Sequence, residues 1–201
     1  YTYTGEVNDT STDYYLPVKT GWNQIGSPFT HDFPWGQVRI RDGATINDLN
    51  TAVALGIISG TVLGYNSDSS AWTQNDSSLV MTPEAGYAVR AYKDVDLIFG
   101  PGAGRPGGLA RVIRPAPLDY KVKISATAGA ASDPDNFFGT SQAASDEFDT
   151  YDLEEPMKAP GGKYVSLYFK DEAWQREAGR YTNDFRASLK ALTLSCSSRF
   201  C

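Results

Sequence analysis

The chain has 201 residues, 41% of them hydrophobic and 21% charged, and a formal net charge of −6. That length can bury a real core, and the composition excludes a collagen, a coiled coil and a wholly disordered tail. The charge has the wrong sign for a general nucleic-acid binder, whose affinity comes largely from neutralising phosphate. No run of residues approaches the roughly 20 apolar positions that a membrane-spanning helix needs.

In chain order, residues 1–18 alternate weakly, with Tyr1, Tyr3 and Gly5 set against Thr2, Thr4 and Glu6. This is compatible with an edge strand ahead of a polar turn at Asn8 to Asp13. Gly21–Gly26 reads as a strand that Pro28 ends, because proline cannot donate to a ladder. Trp35–Asp42 reads as a second short strand, turned by Gly43. The period then changes. Ile46, Leu49 and Val53 recur at helical spacing, Thr45 offers an N-cap with Asp48 three residues on, and Gly56 suits a left-handed helix stop. One helix is expected near residues 45–56. Strands follow at Ile57–Tyr65, Ala71–Gln74, Tyr87–Tyr92 and Val95–Phe99, joined by turns rich in Gly, Pro, Asn and Asp.

Gly100–Gly108 has the composition of a linker. It divides the chain into a β module with one helix, residues 1–99, and a β-sandwich module, residues 109–201. The second module is expected to carry strands at 110–114, 120–126, 164–169, 180–186 and 191–195. In Tyr120–Ala126, the residues Tyr120, Val122 and Ile124 should face inward while Lys121 and Lys123 face water, as in a half-buried antiparallel sheet. An acidic loop is expected from Asp133 to Glu155. The fold class is therefore mainly β: two small antiparallel sandwich- or barrel-like units with one short helix.

Reactive side chains are few. His31, the sole histidine, lies in a loop-like stretch between Pro28 and Pro34, and any histidine-based nucleophilic mechanism would have to use it. There is no GxxxxGK[ST] or HExxH motif. A His/Cys zinc site needs three or four ligands, and the two cysteines lie at the far end of the chain. Cys196 and Cys201 leave two readings open: a small disulfide loop, which would persist in oxidising surroundings, or free thiols.

The sharpest feature is acidic. Asp133, Asp135 and Asn136 are followed by Asp146, Glu147, Asp149, Asp152, Glu154 and Glu155. Clustered Asp and Asn supply the oxygens that Ca²⁺ takes, although the spacing is not that of an EF-hand. A solvated loop, a structural Ca²⁺ site and a carboxylate pair for hydrolysis are the three readings. In the structural version, Phe148 and Tyr151 anchor the loop and Arg180 or Arg186 pairs with one of its carboxylates. The aromatics Trp22, Trp35, Tyr65, Trp72 and Tyr87 suit either a core or a platform for sugar rings. Trp72, flanked by Ser69, Ser70, Thr73 and Gln74, is the best exposed candidate, with Tyr65 and Tyr87 as companions.

Gly21-Trp22-Asn23-Gln24-Ile25-Gly26-Ser27-Pro28-Phe29 resembles the GWNLIGNPF opening of a β-rich module of large bacterial secreted and cell-surface proteins. In the same order, residues 56–65 are similar to its GIISGTLFGYD segment and residues 83–91 to its PGKGYWVKA segment, with Ala88 where that module usually has Trp. Residues 144–156, 164–169 and 181–186 resemble an acidic-loop β module often found beside it. The resemblance covers residues 18–187 and implies a β fold and an extracellular location; it supplies no reaction and no site residues. The expected function is a non-enzymatic structural or adhesive module whose partners are other copies or other domains of a surface protein. Residues 1–10 could leave as an extended strand and pair with a neighbour's sheet edge, building filaments. The alternatives are a carbohydrate-binding module using exposed aromatics and a glycoside hydrolase using an acid pair from the 133–155 loop.

Overall fold

A computed structural model gives the fold and describes residues 8–101, 117–158, 163–174, 179–188 and 192–199. Residues 1–7 of the expected first strand, residues 102–108 of the linker, the expected strand at 110–114 and Cys201 lie outside that set. The chain divides into two compact units, residues 1–64 with 75–113 and residues 65–74 with 114–201. The composition-based division at 100–108 carries no sign that residues 65–74 group with the second unit.

In chain order the first half carries β1 (Tyr14–Val18), β2 (Gly21–Gly26), β3 (Phe33–Pro34), β4 (Arg39–Asp42), β5 (Thr45–Asp48), α1 (Leu49–Ala54), β6 (Ile58–Asn66), β7 (Ala71–Asn75), β8 (Val80–Met81), β9 (Gly86–Ala91) and β10 (Val95–Phe99). They form a sheet of order β1-β10-β4-β5, a second of order β2-β9-β6-β7, and the small ladder β3-β8. β10 is central in its sheet, and its Val95, Leu97, Ile98 and Phe99 are all buried, as a strand covered on both faces requires. Val95, Leu97 and Phe99 join Trp35, Ile40, Leu49, Val62 and Met81 in one apolar core.

The helix is shorter than expected. Thr45–Asp48 pairs with Arg39–Asp42 around Gly43, whose φ is +61°. The hairpin takes the residues that periodicity assigns to the first helical turn. Asp48 therefore caps α1 in place of Thr45: its Oδ1 accepts from Thr51 N–H at 2.8 Å and its Oδ2 from the Thr51 hydroxyl at 2.9 Å. Trp35–Gln37, expected as strand, is a 3-10 turn with Trp35 fully buried. A Cβ on Gly36 would sit 2.6 Å from the Ser77 carbonyl oxygen, so only glycine passes there.

The second half carries β11 (Tyr120–Ala128), β12 (Ala131–Thr140), β13 (Leu153–Glu154), β14 (Tyr164–Asp171), β15 (Gly179–Arg186) and β16 (Leu194–Arg199). Their sheet has the order β11-β12-β15-β14-β16, with β13 also paired to β15. All pairings are antiparallel except β12 with β15. The sheet curls, so the Phe138 ring on β12 lies 5.8 Å from Phe169 on β14. Phe169, Trp174 and Tyr181 form a small core against Ile124, Phe138, Phe148 and Leu192.

Two expectations are corrected here. The acidic stretch does not begin as a loop: Asp133, Asp135 and Asn136 belong to β12, which pairs with β11 around the turn at Gly129. Val122 shares the strand face of Tyr120 and Ile124 but is not buried, being 37% exposed, because β11 is an end strand with β12 as its one partner among the described residues.

Phe99 is fully buried, 5.3 Å from the Phe33 ring. Phe99→Ala should lower the stability of the first unit by about 3–5 kcal/mol. Chemical denaturation followed by tryptophan fluorescence would read this as an earlier midpoint.

Candidate functional site

The polar residues of β12 meet partners from three other segments of the second unit. Gln74 donates its main-chain N–H to Asp135 Oδ2 at 2.8 Å and its Nε2 to the Asp135 carbonyl at 2.8 Å. Its side chain also exchanges two hydrogen bonds with the Asn183 amide, at 3.0 and 3.1 Å. The Thr182 hydroxyl lies 2.9 Å from the Asp135 carbonyl oxygen and 3.0 Å from Asn136 Oδ1. Lys123 on β11 completes the set, with Nζ 2.7 Å from Asp135 Oδ1. A strand carrying Asp, Pro, Asp and Asn is tolerated inside the sheet because its carboxylates and carbonyls meet donors, although Asn136 Nδ2 is buried with no hydrogen-bond partner among the described residues.

Four further acids of the second unit are partly or, in the case of Asp152, fully buried, and burial sets their chemistry. Asp133 accepts from Leu167 N–H of β14 at 2.7 Å, and burial pushes its carboxyl above the usual range. The Glu155 Oε1 is 2.6 Å from the Ser166 hydroxyl, while its Oε2 is buried with no hydrogen-bond partner among the described residues. Burial, reinforced by the nearby Asp133 charge, pushes Glu155 up to about 8. Asp152 is 2% exposed and accepts from Phe185 N–H and Asp149 N–H, each at 2.9 Å. Burial again dominates, with Asp149 and Asp184 adding to it, and Asp152 is pushed up to about 8. Asp149 takes N–H groups from Ser145 and from Tyr151, and burial raises it too.

The sequence-predicted calcium residues are thus drawn into separate tasks. Asp133, Asp135 and Asn136 tie β12 to its neighbours, and Asp149 and Asp152 shape the turn ahead of β13. Asp146 takes the Trp174 indole N–H on its carbonyl oxygen at 3.2 Å. Among the described residues no three His, Cys, Asp or Glu side chains are grouped so as to hold a metal ion.

Arg186 does pair with carboxylates, but not with those of the 133–155 stretch. Its Nε donates to Asp184 Oδ1 at 2.7 Å, and its Nη2 donates to Asp184 Oδ2 at 2.9 Å and to Asp171 Oδ2 at 2.5 Å. The guanidinium lies 5.0 Å from the Trp174 ring centroid. The two carboxylates hold it firmly in the charged form. The Asp184–Arg186 half of this arrangement has a sequence signal: residues two apart on a strand share a face. Arg180, the other candidate, packs over the Tyr168 ring at 4.5 Å.

The aromatics do not form one platform. Trp72 donates its indole N–H to the Met157 carbonyl at 2.9 Å, and its ring packs 5.3 Å from Tyr65. Tyr87 belongs to the first unit, is 5% exposed and accepts from Thr82 N–H through its hydroxyl at 2.8 Å. His31 is exposed and stacks on Phe29 at 5.1 Å. Cys196 is an exposed free thiol within β16, opposite Leu167. Cys196 takes part in no disulfide among the described residues, and Cys201, the other half of the disulfide reading, lies outside them.

Two measurements follow from these contacts. The acids raised to about 8 stay protonated in the fold while the unfolded chain ionises near its ordinary values. Their contribution is present in full below about pH 4 and is lost as pH rises towards 8. The melting temperature of the second unit should therefore climb as pH falls from 8 to 5, and Glu155→Gln should flatten that slope. Separately, Arg186→Ala leaves Asp171 and Asp184 buried without a cation. It should cost about 3–5 kcal/mol, measured by urea denaturation.

No protein-family model, curated protein or solved structure matches the chain.

Proposed function

We propose that the chain is a non-enzymatic, extracellular structural module of a bacterial surface or secreted protein, which joins neighbouring copies by adding the segment 1–10 to a sheet edge. The observation that carries this reading is how the second unit spends its carboxylates. Asp133, Asp135, Asp149 and Asp152 each accept main-chain N–H groups. Asp171 and Asp184 are taken by Arg186. Groups used in this way fix strands in place and present a rigid sheet, which suits a module that works through its surfaces. The stretches at 21–29, 56–65 and 83–91, which resemble secreted modules, favour the same setting.

The test is assembly. Sedimentation velocity and negative-stain microscopy of the full chain should show oligomers that grow with concentration. A variant lacking residues 1–8 should stay monomeric. A full chain that remains monomeric at every concentration would overturn the reading.

A further inference from the structure

The two end strands of the second unit suggest where an added segment goes. Resting on the strand-addition reading, we propose that the seat between β11 and β16 accepts residues 1–7 of a second copy as an extended strand, Asn8 and Asp9 being held in their own chain by Pro28 and Ser11.

β11 and β16 stand at opposite ends of the curled sheet, each with one partner among the described residues. β11 is antiparallel to β12, β12 parallel to β15, β15 antiparallel to β14, and β14 antiparallel to β16. β11 and β16 therefore run in opposite senses, and an added strand meets one in antiparallel and the other in parallel alignment. Between them lies a cavity of about 240 Å³, walled chiefly by Tyr120 and Ile124 of β11, Phe138 of β12, Phe169 of β14 and Leu194 of β16, with Arg186 and Ser188 among its polar members. That is smaller than the roughly 300–1,000 Å³ of an ordinary small-molecule site, yet it suits the alternate side chains of a strand. The flanks are apolar too: Val122 is 37% and Leu194 44% exposed.

Three features select the occupant. Residues 1–7 alternate in sequence, so an extended strand would set Tyr1, Tyr3, Gly5 and Val7 on one face and Thr2, Thr4 and Glu6 on the other. Their charge is complementary. Glu6 is acidic, whereas β11 carries the exposed Lys121, its Nζ 3.7 Å from the Phe137 ring centroid, beside Lys123, which Asp135 already pairs. Pairing β11 with a second β11 would instead set lysine against lysine. The length also fits. The described chain begins at the exposed Asn8, and seven preceding residues span roughly 23 Å when extended, enough to cover most of the roughly 30 Å of the nine-residue β11.

Cys196 supplies a reporter, because it is exposed two residues beyond Leu194 on the same face of β16. One full-length chain carries Gly5→Cys with Cys196→Ser and Cys201→Ser; the other keeps Cys196 and carries Cys201→Ser. Mixed under mild oxidation, they should give a disulfide between position 5 of one chain and Cys196 of the other, identified by peptide mapping. Lys121→Glu in the acceptor should weaken association by about fivefold, and Glu6→Lys in the donor should restore it. Assembly that depends on residues 1–8 but maps to another edge and ignores Lys121→Glu would overturn this seat and leave the strand-addition reading standing. Monomers throughout would overturn both.

Discussion

A buried carboxylate must find hydrogen-bond donors or give up its charge, and the arrangement of the second unit follows from that constraint. Asp152 bridges the turn at Asp149 to β15 at Phe185. Asp133 bridges β12 to β14. Each contact joins elements that the strand ladder alone would leave less firmly placed, and each takes an acid out of water to do so. The displaced proton affinities of Asp152 and Glu155 are the thermodynamic trace of that desolvation.

The first unit reaches the same end by other means. Its interior is a continuous apolar cluster built from β1, β2, β4, β6, β9 and β10 with α1. Charged pairs there, such as Arg41 with Asp96 and Lys19 with Asp94, sit nearer the surface and contribute little individually. The second unit has a small aromatic core around Phe169, Trp174 and Tyr181, so its specificity rests on polar matching. Arg186 shows the difference: buried against Trp174, it is a fixed part of the interior.

How far the sequence could be read depended on which kind of interior a segment joins. The alternation of Val95, Leu97 and Phe99 and the strand at Gly21–Gly26 were legible because apolar packing writes itself as periodicity. The start of α1 was not, since the hairpin partner of Thr45–Asp48 lies outside any local window. β12 was misread for a related reason. Asp133-Pro134-Asp135-Asn136 has the composition of a loop, yet it pairs with β11 as a hairpin, and Gln74, Thr182 and Asn183, distant in sequence, supply the partners that let its polar groups enter the sheet. The acids of the candidate site were all visible as residue types, whereas their roles depended on burial, which composition does not report. Phe148 did anchor the acidic stretch, with its ring 5.8 Å from Tyr181.

The grouping of residues 65–74 with 114–201 bears on how the chain is made. Gln74 leaves the ribosome long before Asn183, its reciprocal amide partner 109 positions later. The second unit cannot close its polar network until nearly the whole polypeptide has been synthesised, and contacts of such long range fold slowly. A gene fragment cut within the glycine–proline segment would deprive that unit of one of its own pieces. The two units are therefore separate as compact bodies but not as stretches of translated message.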